Sequence, residues 1–198
     1  MKLNGIYTAL ITPYHNDYSI NEKAYAEVIN TIIEEGVHGV VVAGSTGENY
    51  TQTLEERIHL LKLSSEIIDK RVTFIAGTGG VIRTEDSIRI AQSAKSMDAD
   101  AIMISSPPYA VPTNKENAIY ATSIEQSVNL PVLLYNYPGR TSVHMDKEYL
   151  DIVSKSENFC GIKESSGEID RIDFLIKKYP NIALCLSLIH ISEPTRPS

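Results

Sequence analysis

Val37-His38-Gly39-Val40-Val41-Val42-Ala43, running directly into Gly44-Ser45-Thr46-Gly47-Glu48, is the stretch on which the fold turns. Four apolar residues in a row, without polar alternation, describe a strand buried on both faces, as strands of parallel sheets are. The polar, glycine-bearing turn that follows leads to Thr53-Leu54-Glu55-Glu56, a capping box that opens a helix. Upstream, Gly36 ends another helix, whose apolar positions Ala24, Tyr25, Val28, Ile29, Ile32 and Ile33 draw one stripe from an N-cap at Ser19. A helix, a doubly buried strand, a polar turn and a new helix make a βα unit.

The same unit recurs along the chain. Ile6 to Thr12 forms the first strand, closed by Pro13, and the second helix runs to about Ile68. Val72 to Ala76 is the third strand, Thr84 caps a helix through Ala94, and Ala101 to Ile104 is the fourth strand. Thr113 with Glu116 makes a capping box for a helix ending near Val128, and Val132 to Tyr135 is the fifth strand. Asp146 to Ser154 is helical, Phe159 to Lys163 is the sixth strand, Glu168 to Tyr179 is helical and Ile182 to Leu186 is the seventh strand. Strands separated by single amphipathic helices predict right-handed crossovers and a parallel sheet. A doubly wound sheet sets its phosphate-binding glycine turn after the first strand, whereas here that loop reads Thr12-Pro13-Tyr14-His15. Polar residues gather instead after the second, fourth, fifth and sixth strands, which favours a (β/α)₈ barrel of α/β class. Such a barrel takes about 250 residues, so the expectation is an incomplete one of about seven strands.

At 198 residues and 42% hydrophobic content, one domain with one substantial core is expected. The net charge of -7, with no Lys/Arg cluster, argues against nucleic acid or an acidic membrane as partner and favours small polar substrates. Cys160 and Cys185 sit in apolar runs without C-x-x-C spacing, so both read as reduced, buried thiols. No signal-like or bilayer-length apolar segment is legible, and the expected location is the cytoplasm. Residues 188–198, with prolines at Pro194 and Pro197 and no helical period, read as a non-native tail on a 1–187 catalytic domain. A barrel short of its last strand exposes two strand edges, so the chain is expected to fold poorly or be inactive.

Chemistry centres on Cys160-Gly161-Ile162-Lys163-Glu164-Ser165-Ser166, where a lysine ends an apolar strand instead of lying on a polar helix face. Burial lowers an ammonium's pKa and leaves free amine, the form that attacks carbonyl groups, although such a lysine can also snorkel to solvent. Tyr135, at the end of the fifth strand, offers a phenol to the barrel mouth, and Arg140 can pair bidentately with a carboxylate. Taken singly, each also reads as barrel filling or a solvated loop charge. Gly44-Ser45-Thr46-Gly47-Glu48 can hold a carboxylate or phosphate on backbone N–H groups and hydroxyls, but lacks a P-loop lysine, and Gly77-Thr78-Gly79-Gly80 lacks a dinucleotide fingerprint. The histidines His15, His38, His59, His144 and His190 show no ligand spacing, so no metal is expected. Glu55, Glu56 and Asp86 lie in first helical turns, where the helix dipole accounts for them.

Four motifs, Gly44-Ser45-Thr46-Gly47-Glu48, Pro107-Pro108-Tyr109, Tyr135-Asn136-Tyr137-Pro138-Gly139-Arg140 and Gly161-Ile162-Lys163-Glu164-Ser165-Ser166-Gly167, fall in order on four strand ends. Together they resemble the dihydrodipicolinate synthase and N-acetylneuraminate lyase family, over residues 1–187. The resemblance implies a pyruvate-dependent class I aldolase or synthase on a (β/α)₈ barrel, a homotetramer or dimer, using no metal and no organic cofactor. By position, Lys163 looks like the imine-forming lysine, Tyr135 like its proton-transferring phenol, and Ser45 and Tyr109 like a hydroxyl relay, with Tyr109 reaching a neighbouring subunit's site. Thr46, with the backbone around Gly47, matches the pyruvate-carboxylate binder. Arg140 matches the arginine that receives the second substrate's carboxylate in the synthases. That implies condensation of pyruvate with L-aspartate 4-semialdehyde to 4-hydroxy-tetrahydrodipicolinate. Ser45 stands where synthases have threonine and the lyases serine, which keeps an aldolase for N-acetylneuraminate or a 2-keto-3-deoxy sugar acid open. A catalytically silent barrel serving in binding or assembly is the alternative of another class. Val81 and Pro108, where lysine-inhibited synthases carry asparagine and tyrosine, imply no feedback inhibition by lysine.

Overall fold

The computed structural model describes residues 1–187, so the expectation about residues 188–198 lies outside the described residues. The apolar runs form β1 (Tyr7–Ala9), β2 (Gly39–Val42), β3 (Thr73–Gly77), β4 (Ala101–Ser105), β5 (Val132–Asn136), β6 (Phe159–Glu164) and β7 (Ala183–Leu186). They pair in chain order into one seven-stranded sheet, and every pairing is parallel. Between them run α1 (Glu22–Glu34), α2 (Leu54–Ile68), α3 (Thr84–Ser96), α4 (Asn114–Val128), the short α5 (Pro138–Thr141), α6 (Lys147–Val153) and α7 (Ile169–Lys178). This is the incomplete α/β barrel read from the sequence.

Alternation along the strands divides the core in two. Val40, Val42, Phe74, Ala76, Ile102, Ile104, Val132 and Leu134 face the helices and join one cluster with Tyr25, Ile29, Leu60, Leu61, Ile90 and Ile124. Val41, Ile75, Met103, Leu133 and Tyr135 face the inside of the curled sheet and form the other. Leu3 belongs to this inner cluster although it precedes β1, and it is 7% exposed, so the N-terminal segment fills the floor of the curl.

Both capping boxes form: Thr53 Oγ1 accepts from Glu56 N and Thr113 Oγ1 from Glu116 N, with each glutamate accepting from the threonine's own amide. Two other caps differ from the sequence reading. Asn21, not Ser19, caps α1 through its side chain, because the Ser19 amide and hydroxyl both donate to Asp17 Oδ1. Thr84 lies inside the first turn of α3, where Arg83 holds the cap position without a side-chain bond.

Candidate active site

The turn after β2 is held in a strained shape. Ala43 has φ 52° and Glu48 φ 59°, both left-handed, flanking a single 3₁₀ turn over Ser45–Gly47. Asn49 supports it: its Nδ2 donates to Ala43 O at 2.9 Å and to Gly79 O at 3.4 Å, joining the loops after β2 and β3. A Cβ at Gly47 would lie 2.8 Å from Leu10 O, so only glycine lets the turn press against the end of β1. The Gly47 N–H donates to Gly44 O, and its carbonyl accepts from Thr12 and Gln52.

Lys163 owes its direction to an irregularity in β6. Val132 pairs with Phe159 but Leu133 with Gly161, so Cys160 is an extra residue against β5. Phe159 faces the helices. With strict alternation Lys163 would face them too, since side chains four residues apart along a strand share a side. The inserted residue reverses the phase, and Lys163 pairs with Tyr135 on the inner side, with Ser105 and Cys185 as the next partners across the sheet. A Cβ at Gly161 would meet Leu3 Cδ1 at 2.6 Å, so the bulge, its glycine and the floor residue fit together.

The Lys163 ammonium lies 4.5 Å from the centroid of the Tyr135 ring. Burial lowers the lysine's pKa from its ordinary value; the Cys185 thiol acts upward and the Arg140 charge further downward. Burial raises the Tyr135 pKa, while the nearby Ser45 hydroxyl and the charge of Arg140 pull it back. Ser165 Oγ is buried without a hydrogen-bond partner of good geometry, close enough to the same phenol to lower its pKa slightly. Arg140 lies 5.5 Å from the Tyr137 ring centroid, and the Tyr135 and Tyr137 rings are 5.9 Å apart.

These side chains line two neighbouring cavities, with Tyr135 in the wall of the first and Lys163, 4.5 Å from its ring, in the wall of the second. The first, about 340 Å³, is bounded by Ser45, Asn49, Met103, Tyr135, Tyr137 and Arg140. Lys163 lines the second, about 360 Å³, with Tyr7, Val41, Leu184 and Cys185. Thr46 is exposed and lines neither, and Tyr109 points into solvent, 90% exposed on a loop with φ 68°. Within this chain, then, Ser45, Tyr135, Arg140 and Lys163 are brought together, whereas Tyr109 and Thr46 are not. The sequence reading missed Asn49, Ser165 and the short helix that presents Arg140. The Pro138-Gly139 pair after β5 signals that turn, since proline is favoured at a first helical position. Among the described residues no cluster of His, Cys, Asp or Glu is placed to hold a metal ion, and no helix is long and apolar enough to cross a membrane.

Comparison with known proteins adds four findings. The model of the Dihydrodipicolinate synthetase family matches residues 2–187. A 4-hydroxy-tetrahydrodipicolinate synthase of Ralstonia nicotianae is 36% identical over 179 residues, which are 90% of this chain and 60% of that protein. The solved synthase of Methylacidiphilum fumariolicum SolV superposes with a TM-score of 0.88 at 35% identity, over 92% of this chain and 61% of that one. A dihydrodipicolinate synthase of Acinetobacter baumannii, solved complexed with pyruvate, superposes with a TM-score of 0.88 at 31% identity, over 92% of this chain and 63% of that one. The chain thus spans about 60% of the length of the relatives it matches.

Proposed function

This chain belongs to the dihydrodipicolinate synthetase family, and from that premise we propose that its site condenses pyruvate with L-aspartate 4-semialdehyde to 4-hydroxy-tetrahydrodipicolinate through an imine on Lys163. The observation that carries the reading is the half-buried lysine ammonium beside the Tyr135 ring, with its pKa lowered by desolvation. The names of the relatives and the pyruvate in the Acinetobacter structure support the choice of substrates.

The residues divide the work by their chemistry. The pyruvate carboxylate docks on the turn that carries Ser45, Thr46 and Gly47. The neutral Lys163 amine attacks the keto carbon, water leaves, and the protonated imine draws electrons from the adjacent methyl group. Loss of a methyl proton gives an enamine. Its carbon attacks the aldehyde carbon of the second substrate, whose carboxylate pairs with Arg140, and the new alkoxide takes a proton. The substrate's own amino group then attacks the imine carbon, the ring closes, and the Lys163 amine leaves unchanged. Tyr135 carries protons with Ser45, and Tyr109 completes the relay from a neighbouring copy, which makes the working unit a homo-oligomer. The imine is the electron sink, so the scheme calls for no metal and no organic cofactor.

Borohydride reduction in the presence of pyruvate tests this directly. A reduced pyruvyl mass should appear on Lys163, confined to one peptide, and K163M should abolish it; no adduct on a wild-type chain shown to be folded overturns the reading. The Ser45 hydroxyl, in place of the synthases' threonine, favours a second reading in which pyruvate is released from a sugar acid. Release from N-acetylneuraminate without condensation with aspartate semialdehyde would select it.

A further inference from the structure

One rung beyond Tyr135 and Lys163 in the same ladder, Asn136 pairs with Glu164, and both side chains are turned away from the reacting face into a buried knot. Glu164 is 4% exposed, yet its carboxylate accepts four hydrogen bonds from three groups. Asn136 Nδ2 donates to Oε1 at 2.8 Å and to Oε2 at 3.0 Å, Ser166 N donates to Oε1 at 2.9 Å, and Arg171 Nε donates to Oε2 at 2.6 Å. Arg171 Nη2 also donates to Met145 O, and Met145 N donates to Asn136 Oδ1 at 3.0 Å, which closes the circuit.

Each link in this circuit ends on a segment carrying a site residue. Asn136 follows Tyr135, Glu164 follows Lys163, and Met145 ends the loop that begins with the Arg140 turn. Arg171, from α7, bonds Glu164 and Met145 directly and reaches Asn136 through them. We propose that Glu164, clamped by Arg171 and Asn136, is a positioning residue that fixes the height of β6 against β5 and thereby seats the Lys163 amine against Tyr135. The proposal rests on the imine reading for its catalytic consequence. Glu164 does this through the backbone, because alternation turns it from the amine, whose surroundings are Tyr7, Tyr135, Cys185 and the charge of Arg140. A buried ion pair with every lone pair occupied is costly to break from one side, so the knot resists shear between the two strands.

The test uses E164Q, R171Q and R171K in the whole chain, with two readouts. Acetic anhydride labelling of Lys163, followed by mass spectrometry across pH, reports how the amine is seated without any substrate; borohydride trapping of saturating pyruvate reports imine formation. In E164Q and R171Q the labelling midpoint should rise toward that of ordinary lysine and trapping should slow at least tenfold. The E164Q/R171Q double variant should be no slower than the slower single, since the two act as one unit. R171K, which keeps the charge but cannot reach both Glu164 and Met145 O, should fall between, and it serves if the other variants do not fold. Wild-type labelling and trapping in the folded variants overturn the proposal. A wild-type chain that traps no pyruvate, with the labelling midpoint still displaced in the variants, overturns the imine reading and leaves the positioning role standing.

Discussion

Lys163 carries a charge that its surroundings penalise, and that cost is what the proposed reactivity draws on. Well below the folded-state pKa both folded and unfolded chains hold the proton, and the burial cost is constant. Between the folded value and the ordinary 10.5 the unfolded chain binds more proton, so stability climbs with pH across that window. K163M should therefore raise the thermal midpoint by a few degrees at neutral pH, a gain that shrinks as pH approaches 10.5, while removing the pyruvate adduct. Arg140 lowers the pKa of both Lys163 and Tyr135. R140M should shift the pH profile of pyruvate trapping upward, slowing it at pH 7, and should impair condensation with the aldehyde more severely; an unmoved profile would show that the arginine's field does not reach the amine.

At the scale of elements, the sequence told most about what local chemistry alone determines. Thr53 and Thr113 formed their boxes because a glutamate stood three residues on, so T53A should cost about 1 kcal/mol in denaturant unfolding. T84A should stay within about 0.5 kcal/mol, because the Thr84 hydroxyl caps nothing. Ser19 was misread because a neighbour two residues away, Asp17, competed for it. The bulge at Cys160 was not legible at all: β6 reads as an uninterrupted apolar run, and only pairing against β5 reveals the extra residue. Of the site, Lys163, Tyr135, Ser45 and Arg140 could be found from strand ends, whereas Glu164 and Arg171, seven residues apart and joined only after folding, could not. G161A should destabilise the fold by about 1–3 kcal/mol, since its methyl group would press on Leu3 at 2.6 Å and Leu133 at 3.1 Å.

For the molecule as a whole, the order β1 to β7 puts the three-residue β1 at one margin of the described sheet and β7 at the other, with β4 central. Hydrogen exchange should accordingly be slowest in β3 to β5 and fastest in β1 and β7; equal protection across all seven strands would mean that the sheet opens only as a unit. The contact between the Tyr135 ring and the lysine has a practical meaning of its own. The ring stands in the wall of the hollow that also holds the arginine, with the ammonium 4.5 Å from its centroid. Loss of that positive charge, by titration or acylation, should therefore register in the phenol's near-ultraviolet absorption, an optical gauge of the amine's state.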